Sequence, residues 1–293
     1  MADGAIVVVA ASPAESERAV DELLARGATA IDLQWVAAGR ALVYAPFDDA
    51  ASAARIVADL RTRSWPAVVR PVGGGHLAAW HANTRPVVVA DRLSVCFPWT
   101  EANRSDAPVV VEIDPGSAFG AGRHPSTRLL LAEVVHRLKG GETVLDVGCG
   151  SGVLSVSAAL LGAASVTALD VDVAAISSTR ANAARNGVAA AIDARATSVT
   201  ELTGTYDVIV ANIGATTLIE VAPTLQARLA EDGWLGLSGL SPAQVSVVAA
   251  TYSSTRVVAV PVDGDWAAIV VTSARRRAFR PRARSRTSPR RGC

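Results

Sequence analysis

The chain has 293 residues, half of them apolar and 19% charged, enough to build a packed core and too little charge for a disordered chain. No apolar run approaches the roughly 20 residues of a bilayer span, so no membrane partner is expected. The net charge of +1 is unevenly divided: residues 275–293 hold nine arginines and no acid, and without them 19 basic residues face 27 acidic ones, a net of −8.

The opening residues read as a strand, AIVVVAA (5–11), rather than a signal peptide. A helix follows Pro13, with apolar positions at Ala19, Val20, Leu23 and Leu24 and Gly27 as its cap. ATAIDLQWV and RALVYA read as two strands around a short Ala-Gly turn. Asp48 and Asp49 can cap a second helix, AASAARIVADLRTR, and PAVVRPV gives another strand. This β-α-β-β-α-β order predicts a ferredoxin-like α+β domain over residues 1–72. Residues 73–113 read as a connector carrying three short apolar strands, PVVVA, LSVCF and VVVEI. Its His76 and His81 read as surface residues.

From residue 126 helices and strands alternate. STRLLLAEVVHRL is a helix, TVLDV a buried strand, and a helix runs from about Val153 to Leu161. SVTALD and YDVIVAN are strands, separated by the helix DVAAISSTRANAARNG. PTLQARLAEDG reads as a helix, WLGLSGL as a strand and 242–252 as a helix. TRVVAVPV and WAAIVVTS close the chain as a hairpin around DGD. Such repeated β-α-β units predict a mostly parallel α/β sheet covered on both faces, over residues 114–274. The tail, 275–293, reads as disordered and basic, able to touch RNA through phosphates.

Cys96, Cys149 and Cys293 are odd in number and form no C-x-x-C pair, which excludes a disulfide framework and a cysteine-rich zinc site. A reduced, cytoplasmic setting fits. The four histidines form no H-E-x-x-H pattern, and no metal is expected.

The sharpest chemical signal is LDVGCGSG, Leu145 to Gly152, where a strand ends, turns on glycines and enters a helix. Gly148, Gly150 and Gly152 allow close backbone approach by a ligand at the sheet's carboxyl edge. A dinucleotide fold wants G-x-G-x-x-G, but Val153 occupies the place of its third glycine. The spacing favours an adenosyl cofactor without phosphates. Asp170, ending the next strand, can accept hydrogen bonds from both ribose hydroxyls. Asn212 ends the following strand, where the cofactor's reacting end should lie. DPGSAFGAGRHPST, Asp114 to Thr127, is too glycine-rich for a plain linker and reads as a flap carrying Phe119, Gly120 and Gly122. His124, followed by Pro125, reads as positional, and Cys149 as a small side chain rather than a catalytic thiol.

LDVGCGSG followed by LD resembles the first two motifs of class I S-adenosylmethionine-dependent methyltransferases. The flap resembles the D-P-G-x-A-F-G-T-G-x-H-x-T-T signature of the bacterial ribosomal protein methyltransferase family PrmA. AWHANTRPVVVADRLSVCFPW (79–99), VANI (210–213) and GLSGL (236–240) are also similar to that family. Ala121 and Ser126 stand where the signature has threonines, and Gly214 where the family usually has leucine. The resemblance implies a Rossmann-like, seven-stranded, mostly parallel sheet and S-adenosyl-L-methionine as cofactor. It implies cofactor contacts at Thr127, Gly148, Gly150, Asp170, Asn212, Phe119 and Gly120. The implied reaction is methylation of lysine and N-terminal amines of ribosomal protein L11 by a monomer, with the N-terminal domain recognising the substrate. No general base stands out, and Asn212 is the candidate that orients the amine. Two other readings stay open: a class I methyltransferase acting on another protein or a small amine, and a non-catalytic RNA-associated protein that keeps the fold. A dinucleotide oxidoreductase is disfavoured by the glycine spacing.

Overall fold

The computed structural model describes residues 5–12, 15–28, 32–36, 40–47, 49–71, 86–98, 100, 106–114 and 122–274. Its first part comprises β1 (Ala5–Ala11), α1 (Ser16–Leu24), β2 (Asp32–Val36), β3 (Arg40–Phe47), α2 (Ala50–Thr62) and β4 (Ala67–Pro71). The sheet order is β2-β3-β1-β4, with every neighbouring pair antiparallel. Val7, Val9, Val43, Leu23, Val57 and Leu60 form its own core. Asp49 caps α2 by accepting the amides of Ala51 and Ser52. Gly27 closes the turn after α1 at φ 87°. Asp48 and the turn at 37–39 lie outside the described residues.

The stretch read as a connector builds β5 (Val87–Val89), β6 (Leu93–Cys96) and β7 (Val109–Glu112). These form one small sheet, antiparallel between β5 and β6 and parallel between β6 and β7. Val89, Leu93, Val95 and Val111 share a core with Leu130, Val134, Val153 and Val210, so this sheet packs into the unit that follows it. Arg92 adds a hydrogen bond to the Val135 carbonyl at 2.9 Å.

That unit holds α3 (Pro125–Arg137), β8 (Thr143–Val147), α4 (Val153–Leu160), β9 (Ser165–Asp170), α5 (Val173–Arg185), β10 (Ile192–Ala196) and β11 (Tyr206–Asn212). It continues with α6 (Ala215–Arg228), β12 (Leu229–Leu240), α7 (Val245–Thr251), β13 (Thr255–Ala259), β14 (Val262–Asp263) and β15 (Trp266–Ser273). Seven strands run in the order β10-β9-β8-β11-β12-β15-β13, and the short β14 pairs with β15. Strands β8 to β12 are mutually parallel, while β15 is antiparallel to both neighbours. Alternate residues of β11 face opposite cores: Val208 and Val210 one, Ile209 and Ala211 the other. Burial on both faces explains the unbroken apolar runs in these strands. The chain steps outward from β8 to β10, then returns to β11 on the other side of β8. That reversal opens a crevice at the carboxyl ends of β8 and β11, where ligands of such sheets sit.

Three sequence expectations need correction. Strand β10 was not foreseen, because IDARA buries only Ala194 and otherwise alternates with charge. Helix α6 starts at Ala215, eight residues before Pro223, which lies inside it rather than at its start. TRVVAVPV splits around Pro261, and the hairpin turn, with Gly264 at φ 60°, joins β14 to β15. Among the described residues no helix is long and apolar enough to cross a membrane.

Candidate functional site

Strand β8 delivers the chain to the crevice at Val147. Gly148, Gly150 and Gly152 then take φ of 76°, 54° and 82°, a left-handed geometry that other residues adopt only at a cost. A Cβ on Gly148 would collide with the Ile213 side chain. The amides of Gly148 and Cys149 donate to the Leu169 carbonyl at 2.8 and 2.9 Å, which pins the loop to β9.

Asp170 ends β9 and braces this loop. One carboxylate oxygen accepts the Gly150 amide at 2.9 Å, and the other accepts the Asp172 amide at 3.0 Å. Each oxygen retains a second acceptor position for hydroxyl donors. Val171 follows it and is 89% exposed, an apolar side chain left open beside the acid.

Asn212, at the end of β11, donates from Nδ2 to Thr127 Oγ1 at 3.0 Å. Thr127 is buried in the first turn of α3. Two residues picked out from separate motifs thus meet at the crevice. His124 caps α3, its Nδ1 accepting the Ser126 amide and lying 2.6 Å from Ser126 Oγ. Its ring stands edge-on to Trp266, with centroids 4.5 Å apart. Burial first, then the nearby Arg128 charge, hold the imidazole down at about 4, so it is neutral at pH 7.

The GLSGL segment supports the same edge. Ser238 donates to the Ser126 carbonyl at 3.0 Å. Gly239 sits at φ 88°, where a Cβ would stand 2.5 Å from the Ile213 carbonyl oxygen. Gly239→Ala should therefore cost about 3 kcal/mol, from left-handed strain plus an overlap with backbone that cannot rotate away. Thermal unfolding should show a drop of roughly 5–10 °C. An unchanged midpoint would mean that the turn after Asn212 adjusts freely.

Asp146 is the residue that sequence reasoning missed. It is wholly buried within β8; Oδ2 accepts Ser155 Oγ at 2.6 Å, and Oδ1 has no partner among the described residues. Desolvation foremost, with the Asp170 charge adding, pushes its carboxyl up to about 7. The signal was available: an acid inside an otherwise apolar strand buried on both faces. The unfolded carboxyl titrates near 3.9, so between about pH 4 and 7 the folded protein keeps a proton that the unfolded chain has released. Stability contributed by this group falls as pH rises through that window, by up to about 1.4 kcal/mol per pH unit, and levels off above it. Asp146→Asn should flatten the decline. Urea unfolding at pH 4.5 and 7 tests this, and equal slopes in both proteins would count against it.

Cys149 behaves as a spacer. Burial foremost pushes its thiol up to about 12, and its sulfur lies 3.3 Å from Thr179 Oγ1. Phe119, Gly120, His76, His81 and the tail at 275–293 lie outside the described residues.

Comparison with known proteins gives this geometry a family. The model of the family described as Ribosomal protein L11 methyltransferase (PrmA) matches residues 76–274. A Citrifermentans bemidjiense protein named Ribosomal protein L11 methyltransferase is 41% identical over 197 residues, 65% of this chain and 64% of that relative. One of the same name from Cupriavidus necator is 39% identical over 242 residues, covering 80% of this chain and 78% of its own length. The match thus spans less than two thirds of the first relative's length, and more of the second. A crystal structure of a ribosomal protein L11 methylase from Lactobacillus delbrueckii subsp. bulgaricus has a TM-score of 0.61 at 29% identity, covering 65% of this chain and 99% of that one. The large sheet has the class I methyltransferase architecture, and the chain belongs to the ribosomal protein L11 methyltransferase family.

Proposed function

We propose that this chain is an S-adenosylmethionine-dependent protein N-methyltransferase whose acceptors are lysine and N-terminal amines of ribosomal protein L11. The observation that carries the reading is the Asn212–Thr127 hydrogen bond at the switch point, across the glycine loop from Asp170. The residues present fit the cofactor. The buried Asp146 Oδ1 has no partner among the described residues, and the left-handed glycines form a cradle without side chains. On this reading Asp170 would hold the ribose hydroxyls, and Val171 and Asp146 would line the same site. Gly148 and Gly150 would offer bare backbone, and Phe119 and Gly120, which lie outside the described residues, are proposed as further cofactor contacts.

The bound sulfonium would supply an already activated methyl group, so the chain's task is alignment. Asn212 spends its Nδ2 on Thr127 and keeps Oδ1 to accept an N–H of the incoming amine. Thr127, buried and fixed at the start of α3, holds that amide in place. A lysine amine has a reference pKa of about 10.4 and must shed a proton before it attacks. His124 is engaged at Ser126 and suits a capping role, so the proton is assigned to water.

The β-α-β-β-α-β unit of residues 5–71 is proposed as a ferredoxin-like docking domain for the protein substrate. The arginine-rich tail is proposed to add contacts with RNA phosphates. A monomer in the cytoplasm is the setting proposed, and the burial of Cys96 and Cys149 suits a reducing compartment. Calorimetric titration separates the classes. S-adenosylhomocysteine should bind one to one, with NAD much weaker. Binding of NAD alone, or of RNA with no adenosyl ligand, would overturn the reading.

A further inference from the structure

Helix α5 carries Asn182 in its last turn, where helix interiors disfavour asparagine, and Asn186 caps its carboxyl end four residues later. Both face the strand that leads into the glycine-rich signature. Asn186 accepts the Glu112 amide at 2.9 Å and donates to the Glu112 carbonyl at 2.7 Å. Asn182 does the same for Asp114, accepting its amide and donating to its carbonyl, each at 2.9 Å. Four residues of helix rise about 6 Å and two of strand about 6.6 Å, so side-chain amides at i and i+4 can stand in for a neighbouring strand. The two asparagines thereby extend the ladder beyond β7.

They differ in one respect. Asn182 also donates to the Ser151 carbonyl, at 2.9 Å, inside the glycine loop. One turn earlier, Thr179 donates to the Gly150 carbonyl at 3.0 Å. The Gly150 amide in turn reaches Asp170. Asn182 is 1% exposed, and its amide joins the last described residue before Pro115 to the loop that Asp170 braces. The other side-chain bond of Asn186 among the described residues goes to the Asn182 carbonyl.

We infer that Asn182 is a positioning residue for the cofactor site, coupling Asp114, where the chain enters its signature segment, to the glycine loop at Ser151. The inference rests on the reading of this loop as an S-adenosylmethionine site. It assigns the residue an energetic role in ligand affinity, beyond holding β7 in place. Coupling is reciprocal: if an intact clasp tightens the ligand tenfold, bound ligand must tighten the clasp by the same factor.

Calorimetry with S-adenosylhomocysteine on the full chain tests this at a temperature where each variant is folded. Asn182→Ala should weaken binding about tenfold or more, because a buried carbonyl of the loop loses its donor. Asn186→Ala, which cuts the same ladder away from the loop, should lower the melting temperature while changing affinity less than about twofold. Equal affinity losses in both variants, or none in Asn182→Ala, would overturn the proposal. If Asn182→Ala does not fold, hydrogen exchange on the unaltered protein decides. Saturating S-adenosylhomocysteine should slow exchange of the Asp114 amide about tenfold, and an unchanged rate would overturn the coupling. Failure of the unaltered protein to bind the ligand at all would instead remove the cofactor reading beneath it.

Discussion

Asp170→Ala should weaken S-adenosylmethionine binding about 100-fold while the protein stays folded. On the proposed reading two ribose hydroxyls would lose a charged acceptor, and charge-assisted hydrogen bonds contribute roughly 1.5–3 kcal/mol each. The structure adds a second loss: without the carboxylate, the Gly150 and Asp172 amides lose their acceptor and the glycine loop loses its brace. Asp170→Asn separates the two effects. Its amide oxygen can still take one backbone N–H, so it should retain more loop order than the alanine variant and still bind weakly. Titration calorimetry is the measurement, and unchanged affinity in folded Asp170→Ala would remove Asp170 from the site.

Removing the first domain should divide binding from turnover. A chain starting at residue 76, where the family match begins, should bind S-adenosylhomocysteine within about twofold of the full protein. It should lose activity on an intact protein acceptor by about 100-fold, because an alignment-dominated transfer depends on docking energy from remote contacts. The first domain has a core of its own, and none of its described residues belongs to the two large cores of the unit that follows. The cut must fall before β5. Starting at residue 107 would strip Val89, Leu93 and Val95 from the larger core. Each such side chain contributes about 1.5–3 kcal/mol by burial, so that shorter chain should not hold its fold. Parallel binding and methyl-transfer assays on the 76-start chain decide the matter, and parental turnover on the protein acceptor would leave the first domain without its proposed role.

Local signals carried most of what the sequence disclosed. The glycine loop was legible because left-handed turns select glycine at Gly148, Gly150 and Gly152. Asp170 and Asn212 were legible because each ends an apolar run, and in a parallel sheet those ends line one edge. The hydrogen bond between Asn212 and Thr127 was hidden, since it depends on how α3 seats beside β11 across 85 residues of chain. The packing of β5 to β7 was hidden for the same reason: short apolar strands look alike in a linker and in a core. Strand β10 carries too few apolar residues to announce itself. Pro223 misled because proline marks helix starts more often than it survives inside helices. Asp146 and Asn182 were overlooked because burial, which makes a polar side chain informative, is a property of the fold.

The crevice is proposed to serve methyl transfer to a protein amine. Purified ribosomal protein L11 should be incubated with the enzyme and S-adenosylmethionine carrying an isotopically labelled methyl group, then read by intact-mass and peptide mass spectrometry. Labelled methyl groups are expected on lysine or N-terminal amines of L11, and none when the protein carries Asp170→Ala at limiting cofactor. Label that stays off L11 while a small amine or another ribosomal protein takes it up would contradict the proposed acceptor. Label that reaches no acceptor, from a chain that does not bind the cofactor, would contradict a methyltransferase role for this crevice altogether.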